Sequence, residues 1–247
     1  MVRMLRLPSF LRGARSAARR RLPADFDPGV AATCRAVEAF TMTSPERVAA
    51  LVEAVRYVCR HRVPGDVVEC GVWRGGSMMA VARTLLELGE RRGLHLFDTF
   101  AGMPPPGAHD RDLAGVAAAD LMAAEDPATG SVWARSPLDD VRRNVLSTGY
   151  PEGDVRFVVG RVEETVPRQA PATIAILRLD TDWYESTRHE LVHLFPRVAA
   201  GGVLIIDDYG HWQGARRAVD EYLAASSARI LLNRIDVTGR IAVKLDP

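Results

Sequence analysis

Four aspartates stand where two short apolar runs end. Leu177-Arg178-Leu179 runs into Asp180-Thr181-Asp182, and Val203-Leu204-Ile205-Ile206 runs into Asp207-Asp208-Tyr209. If the runs are neighbouring strands, the four carboxylates share one sheet edge. Their mutual repulsion is then costly unless a cation or a proton neutralises it. An all-oxygen donor set suits Mg²⁺, Mn²⁺ or Ca²⁺ rather than zinc. Helix capping is the plainer use for such residues, and Asp182, ahead of Trp183-Tyr184-Glu185-Ser186, could serve it. Capping explains one or two of the four, not all.

A second group lies earlier in the chain. Glu69-Cys70-Gly71-Val72-Trp73-Arg74-Gly75-Gly76-Ser77 reads as a glycine-rich turn feeding a helix. Glycine there lets the backbone take positive φ and approach a ligand closely. The pattern is G-x-x-x-G-G rather than the G-x-G-x-x-G of dinucleotide enzymes, and a plain strand-to-helix turn would look the same. Asp98 ends the next apolar run, about twenty residues beyond the turn, where a carboxylate can accept hydrogen bonds from ribose hydroxyls. The two signals together favour an adenosine-containing cofactor.

Alternating strands and helices must position these residues. Ser44-Pro45-Glu46 is a helix start, with Ser as N-cap, Pro at the first position and Glu on the dipole. Val48, Leu51, Val52, Val55 and Val58 follow at helical spacing, and the helix should end near His61. Strands are expected at Val67–Cys70, Leu94–Phe97, Val155–Val159, Ile174–Leu179 and Val203–Ile206. Helices are expected to about Leu88 after the glycine turn and near 137–147, 185–198 and 213–226. Ile230–Ile235 and Ile241–Leu245, around Asp236-Val237-Thr238-Gly239, read as an antiparallel hairpin. The fold class is therefore α/β: a doubly wound, mostly parallel sheet with helices on both faces, whose ligands bind beyond the strand ends. Residues 101–150 are long for a connection and rich in Ala, Asp, Pro and Gly, the composition of a lid or binding loop.

Charge and composition narrow the class. Of 247 residues 47% are hydrophobic, enough to bury a core, and no stretch has the roughly 20 apolar residues of a membrane helix. The net charge of +1 is a cancellation. Seven arginines (Arg3, Arg6, Arg12, Arg15, Arg19, Arg20, Arg21) precede residue 22 without a carboxylate, and the remainder holds 25 basic against 31 acidic residues. Residues 1–40 therefore read as a basic arm, partly flexible or packed on a partner, and residues 41–247 as the folded domain, with the lid insertion at about 101–150. A basic arm beside an acidic body points to a homo-oligomer; neither a nucleic acid nor a membrane is expected as partner. Cys34, Cys59 and Cys70 have no metal spacing, and no secretory signal is evident, so a cytoplasmic setting is expected. Lys244 is the single lysine, which excludes chemistry needing a lysine in the middle of the chain.

Glu69–Ser77, Asp98-Thr99-Phe100-Ala101-Gly102-Met103-Pro104, Leu177–Thr187 and Ile205–Tyr209, with Thr41-Met42-Thr43-Ser44 ahead of the first helix, resemble the macrocin O-methyltransferase family. The resemblance covers roughly residues 40–245. It implies a class I methyltransferase with a seven-stranded sheet, dependent on S-adenosylmethionine and Mg²⁺, that methylates sugar hydroxyls of macrolide and related antibiotics. By position it makes Asp180, Asp207 and Asp208 the metal ligands and Asp182 the general base. Glu69, Gly71 and Gly75 would lie against the cofactor's methionine part, Asp98 against its ribose, and Val162 and Glu163 beside its adenine; Thr43, Trp73 and Ser77 would also bind the cofactor. The acceptor would be a glycosylated or polyhydroxylated small molecule. Catechol-type O-methyltransferases use a lysine base, which this chain lacks in the right region; His189, His193 and His211 are the other candidates. Two alternatives stay open: a nucleotide-cofactor hydroxylase or oxidoreductase in the same pocket, and a catalytically silent scaffold.

Overall fold

The structure, a computed structural model, describes residues 22–245. The arginine cluster at positions 3–21 lies outside the described residues. Strands β1 (Asp66–Cys70), β2 (Leu94–Asp98), β3 (Val155–Val159), β4 (Ile174–Leu179), β5 (Val198–Ile206), β6 (Asn233–Arg234) and β7 (Arg240–Val243) form one sheet in the order β3-β2-β1-β4-β5-β7-β6. The first five are parallel, and β7 runs antiparallel between β5 and β6. This is the expected mostly parallel sheet with a terminal antiparallel hairpin.

The helices are α1 (Pro28–Val37), α2 (Pro45–Arg60), α3 (Gly76–Leu88), α4 (Ala118–Ala123), α5 (Leu138–Leu146), α6 (Val162–Thr165), α7 (Tyr184–Leu194) and α8 (Gln213–Ala225). Side chains alternate across the central strands. Val67, Ile176, Val203 and Ile205 face a core shared with α1, α2, α3 and α5. Val68, Leu177, Leu204 and Ile206 face a second core with α7 and α8. Such near-continuous burial is what a sheet covered on both sides requires.

Register decides what meets at the edge. Cys70 pairs with Leu179, and Leu179 with Ile206. The ladder runs one residue further, through Asp180 N–H to Cys70 O at 2.8 Å and Asp207 N–H to Leu179 O at 2.9 Å. Gly71, Asp180 and Asp207 therefore leave the sheet side by side, at the β1/β4 switch point where such folds bind ligands.

Several expectations change. Helix α1 had no counterpart among the elements expected from the sequence: Asp27 caps it, and Val30, Cys34 and Val37 pack into the first core. Residues 28–40 thus belong to the domain rather than to an arm. The helix expected over 185–198 ends at Leu194, where Phe195–Arg197 tightens into a 3₁₀ turn around Pro196 and β5 begins at once. The first hairpin strand shrinks to Asn233–Arg234, since at the sheet edge it has only β7 to pair with and Leu231 is exposed. Within 101–150, α5 packs Val141 and Val145 into the core, so the covering part is 101–136.

That covering segment has its own anchors. Ala118, Met122, Trp183, Trp212 and Ala215 form a third apolar cluster, with Met103, Val132 and Trp133 packed against it. Trp183 Nε1 donates to Pro104 O at 2.9 Å, and its ring meets Trp212 edge-on with centroids 4.9 Å apart. Asp110, buried, accepts from Gly107 N–H and from Tyr184 N–H at 2.8 Å, so a covering-loop carboxylate caps α7.

Candidate active site

The carboxyl ends of β1, β2, β4 and β5 open into a cavity of about 380 Å³, a size suited to a small-molecule ligand. On one side stands the glycine turn. Gly71 (φ +81°) and Gly75 (φ +88°) adopt conformations that side chains rarely tolerate. Asp98 Oδ2 accepts from Val72 N–H at 2.6 Å and Trp73 N–H at 3.2 Å, and its Oδ1 from Phe100 N–H at 2.7 Å. The carboxylate expected to meet a ribose therefore also ties the glycine turn to the end of β2. Burial raises its pKa against those amide bonds.

Of the residues expected around a cofactor, Thr43, Gly71, Trp73, Ser77, Asp98, Val162 and Glu163 line this cavity. Glu69 and Gly75 do not. Gly75 is the N-cap of α3, with no room between it and Val145 for a side chain. Glu69, 1% exposed, lies behind the turn against Arg178, and burial pushes its carboxyl up to about 7 although Arg178 opposes the shift. Gly76, read as part of the turn but not among the residues expected to meet the cofactor, lines the wall instead.

Beside the turn, the four aspartates converge as the strand register requires, and all four line the cavity. One oxygen from each of Asp180, Asp207 and Asp208 falls within 4.8 Å of the others, an arrangement that could hold a metal ion. Asp208 Oδ2 is buried without a hydrogen-bond partner, as a ligand awaiting a cation would be. Burial raises Asp180 and Asp208 well above the usual carboxylate range, and neighbouring carboxylates add to the shift. Asp182 takes positive φ (+66°), strained for a non-glycine residue. Burial pushes it up to about 7, with Asp180 and Asp207 adding to the rise and a hydrogen bond to Asp208 opposing it.

Two cations answer part of this charge, and neither was singled out in the sequence. Arg178 is buried at the end of β4. Its Nη1 donates to Glu69 Oε1 and Asp180 Oδ2, each at 2.7 Å, and its Nη2 to Asp207 Oδ1 at 2.6 Å. Arg47, from the first turn of α2, pairs with Asp207 Oδ2 and, through Nε, with Asp236 Oδ2 at 3.0 Å. Arg178 was detectable: a charge inside the apolar run Ile174–Leu179 must have partners. Arg47 pairs across 160 residues, and nothing local signals it.

The histidines separate cleanly. His189 bonds Val166 O at 3.1 Å and meets the His193 ring at a 55° tilt with centroids 4.4 Å apart, and neither lines the cavity; His211 does. Lys244, just after β7, is buried with its Nζ 2.8 Å from Val198 O, and does not line the cavity. The three cysteines are free, and among the described residues no helix is long and apolar enough to cross a membrane.

Comparison with known proteins agrees with this geometry. The chain is 36% identical over 202 residues to 8-demethyl-8-(2,3-dimethoxy-alpha-L-rhamnosyl)-tetracenomycin-C 4'-O-methyltransferase of Streptomyces olivaceus, covering 81% of this chain and 74% of that one. It is 34% identical over 206 residues to demethyldecarbamoylnovobiocin O-methyltransferase of Streptomyces niveus, at the same coverages. Its fold superposes on the solved O-methyltransferase NovP with a TM-score of 0.71 at 35% identity, covering 84% and 83% of the two chains. The calicheamicin methyltransferase CalS11, at 18% identity and a TM-score of 0.62, shares the fold. These relatives are O-methyltransferases, which leaves the hydroxylase, oxidoreductase and silent-scaffold readings without support. The family model for macrocin-O-methyltransferase (TylF) matches residues 11–243, and the chain belongs to that family.

Proposed function

We propose that this O-methyltransferase moves the methyl group of S-adenosylmethionine to a hydroxyl of a sugar or polyhydroxylated small molecule, with Mg²⁺ held by Asp180, Asp207 and Asp208, in the biosynthesis of an antibiotic-like natural product. One juxtaposition carries the reading: three carboxylate oxygens within 4.8 Å of one another share a cavity with the Gly71–Ser77 turn. The acceptor class is supported by relatives named for a rhamnosylated tetracenomycin, a novobiocin precursor and mycinamicin III, the last from Micromonospora griseorubida.

The donor set is all oxygen, and Asp208 contributes an orphaned buried atom, so the residues fit a hard divalent cation. Held by these residues, S-adenosylmethionine would supply an electrophilic methyl group and a divalent cation would supply Lewis acidity that lowers the proton affinity of a nearby hydroxyl. Asp182, beside the ligand trio, accepts the proton of the attacking hydroxyl. A pKa near 7 suits a base working near neutrality. Gly71, Trp73, Ser77 and Thr43 enclose the donor's methionine end, and Asp98, Val162 and Glu163 its adenosine. The covering segment, pinned by Trp183 and Trp212, excludes water and orients the two reactants, which replaces a bimolecular encounter by a positioned one. A cytoplasmic homo-oligomer is the proposed setting, supported by the unpaired cysteines and by the basic tail on an acidic body.

The test is a methyl-transfer assay on a panel of glycosylated natural products with S-adenosylmethionine and Mg²⁺. Turnover that excess EDTA stops is expected. Absence of S-adenosylhomocysteine binding by isothermal titration would overturn the donor, and undiminished turnover in EDTA would overturn the cation.

A further inference from the structure

The Arg178 guanidinium touches three carboxylates at once, and two of them are proposed metal ligands. Asp180 and Asp207 stand on neighbouring strands, and each gives the fork a single oxygen: Oδ2 of Asp180 and Oδ1 of Asp207, at 2.7 and 2.6 Å. Asp180 keeps its other oxygen, whereas Asp207 Oδ2 is shared with Arg47, so two guanidiniums fix the rotation of Asp207. From behind, Glu69 on β1 holds the same Nη1 at 2.7 Å, in register with Arg178 across the β1–β4 ladder. The guanidinium is planar, with donors at fixed angles, so the residues that accept from it lose rotational freedom. Burial disfavours its charge, but Asp180, Asp207 and Glu69 more than offset that and keep it protonated.

We infer that Arg178 is a positioning residue for the cation: its fork fixes the rotation of Asp180 and Asp207 so that one oxygen of each stays within reach of Asp208. This rests on the proposed cation site. Hydrogen-bonded supports of metal-ligating carboxylates commonly control affinity through orientation, and losing one weakens binding 10–100-fold. A guanidinium that merely balanced charge would have the opposite influence, because a fixed positive charge beside a divalent ion repels it. The two roles therefore differ in sign.

The experiment is Mn²⁺ titration, followed by isothermal titration and by electron paramagnetic resonance of the free ion, on the full-length protein and two variants. Arg178→Lys keeps the charge and loses the fork; its Mn²⁺ affinity should fall about 10-fold. Arg178→Met loses both, and its affinity should fall about 100-fold. S-adenosylhomocysteine affinity, measured on the same samples, should stay within about twofold, since Arg178 does not line the cavity. An unchanged Mn²⁺ affinity in Arg178→Lys, or a tighter one in Arg178→Met, would overturn the inference. So would a parallel loss of S-adenosylhomocysteine affinity, which would assign the residue to folding alone. Where Arg178→Met does not fold, Arg178→Lys decides alone. If the unmodified protein binds no Mn²⁺, the cation site itself fails, a result distinct from failure of the arginine's role.

Discussion

A single methyl group added at Gly71 should disable both halves of the site. At φ +81° a Cβ on residue 71 would overlap the Asp180 carbonyl oxygen, lie 2.6 Å from its carbon and 3.2 Å from Thr181 N. These are backbone atoms of the loop that carries Asp180 and Asp182, so no side chain can rotate away. The positive φ costs alanine about 1–2 kcal/mol, and forcing packed backbone apart adds about 1–3 kcal/mol. Gly71→Ala should therefore lose about 2–5 kcal/mol, a large share of the roughly 5–15 kcal/mol typical of a domain. Gly149→Ala is the control, because Gly149 has φ +82° and a methyl group there would meet nothing within 4 Å; it should lose only the conformational part, about 1–2 kcal/mol. Urea unfolding reads both, with midpoints falling by about 1–2 M and by less than about 1 M respectively. S-adenosylhomocysteine and Mn²⁺ affinities should fall together in Gly71→Ala and in neither for Gly149→Ala. Equal midpoints in the two variants would refute the claim that close approach, rather than backbone conformation, fixes residue 71 as glycine.

Further outcomes follow from the same geometry. Asp182→Asn should lower kcat about 10²–10⁴-fold with S-adenosylhomocysteine affinity retained, the range for removing a general base; retention of more than a tenth of kcat would exclude that role. Because burial holds Asp182 near 7, the residue is protonated and inert below that pH, so kcat/KM should rise with pH through about 7; a flat profile from about 5.5 to 8.5 speaks against it. Asp208→Asn removes a carboxylate whose Oδ2 has no partner, so no arginine is orphaned. Thermal unfolding without added metal should show no loss of stability, while the Mg²⁺-induced rise in Tm disappears. Trp183→Phe deletes the bond to Pro104 O, worth about 1 kcal/mol; KM for the acceptor should rise while S-adenosylhomocysteine affinity stays level.

The strand ends were legible because their signal is local. An apolar run terminated by aspartate needs no knowledge of partners, and five parallel strands, the Ser44 cap and the 213–226 helix are read the same way. Boundaries that depend on a neighbour were not. Asn233–Arg234 is short because only β7 stands beside it, and β5 starts at Val198 because it continues straight from a 3₁₀ turn. Helix α1 carried a readable signal, Asp27-Pro28 followed by Val30, Cys34 and Val37 at helical spacing, which the arginines ahead of it obscured. Glu69 shows the limit of placing residues by motif alone. It belongs to the glycine segment, yet strand alternation turns it toward Arg178, away from the cavity wall.

The arginines also sharpen what a carboxylate cluster implies. Repulsion among strand-end aspartates demands neutralisation, but proteins can supply it internally, and here Arg47 and Arg178 do so for Glu69, Asp180 and Asp207. Counting aspartates therefore overstates the case for a metal. What survives the correction is narrower and stronger. Among the described residues Asp208 and Asp182 have no arginine or lysine within ion-pair distance, and Asp208 leaves one buried oxygen without any partner. Internal cations thus hold the part of the cluster that builds the site. The part left without an arginine falls on Asp208, a proposed cation ligand, and on Asp182, the proposed base. Two guanidiniums set against the five carboxylates Glu69, Asp180, Asp182, Asp207 and Asp208 leave the balance three short at the wall of a ligand-sized cavity, which is costly for stability alone and becomes intelligible when chemistry completes it.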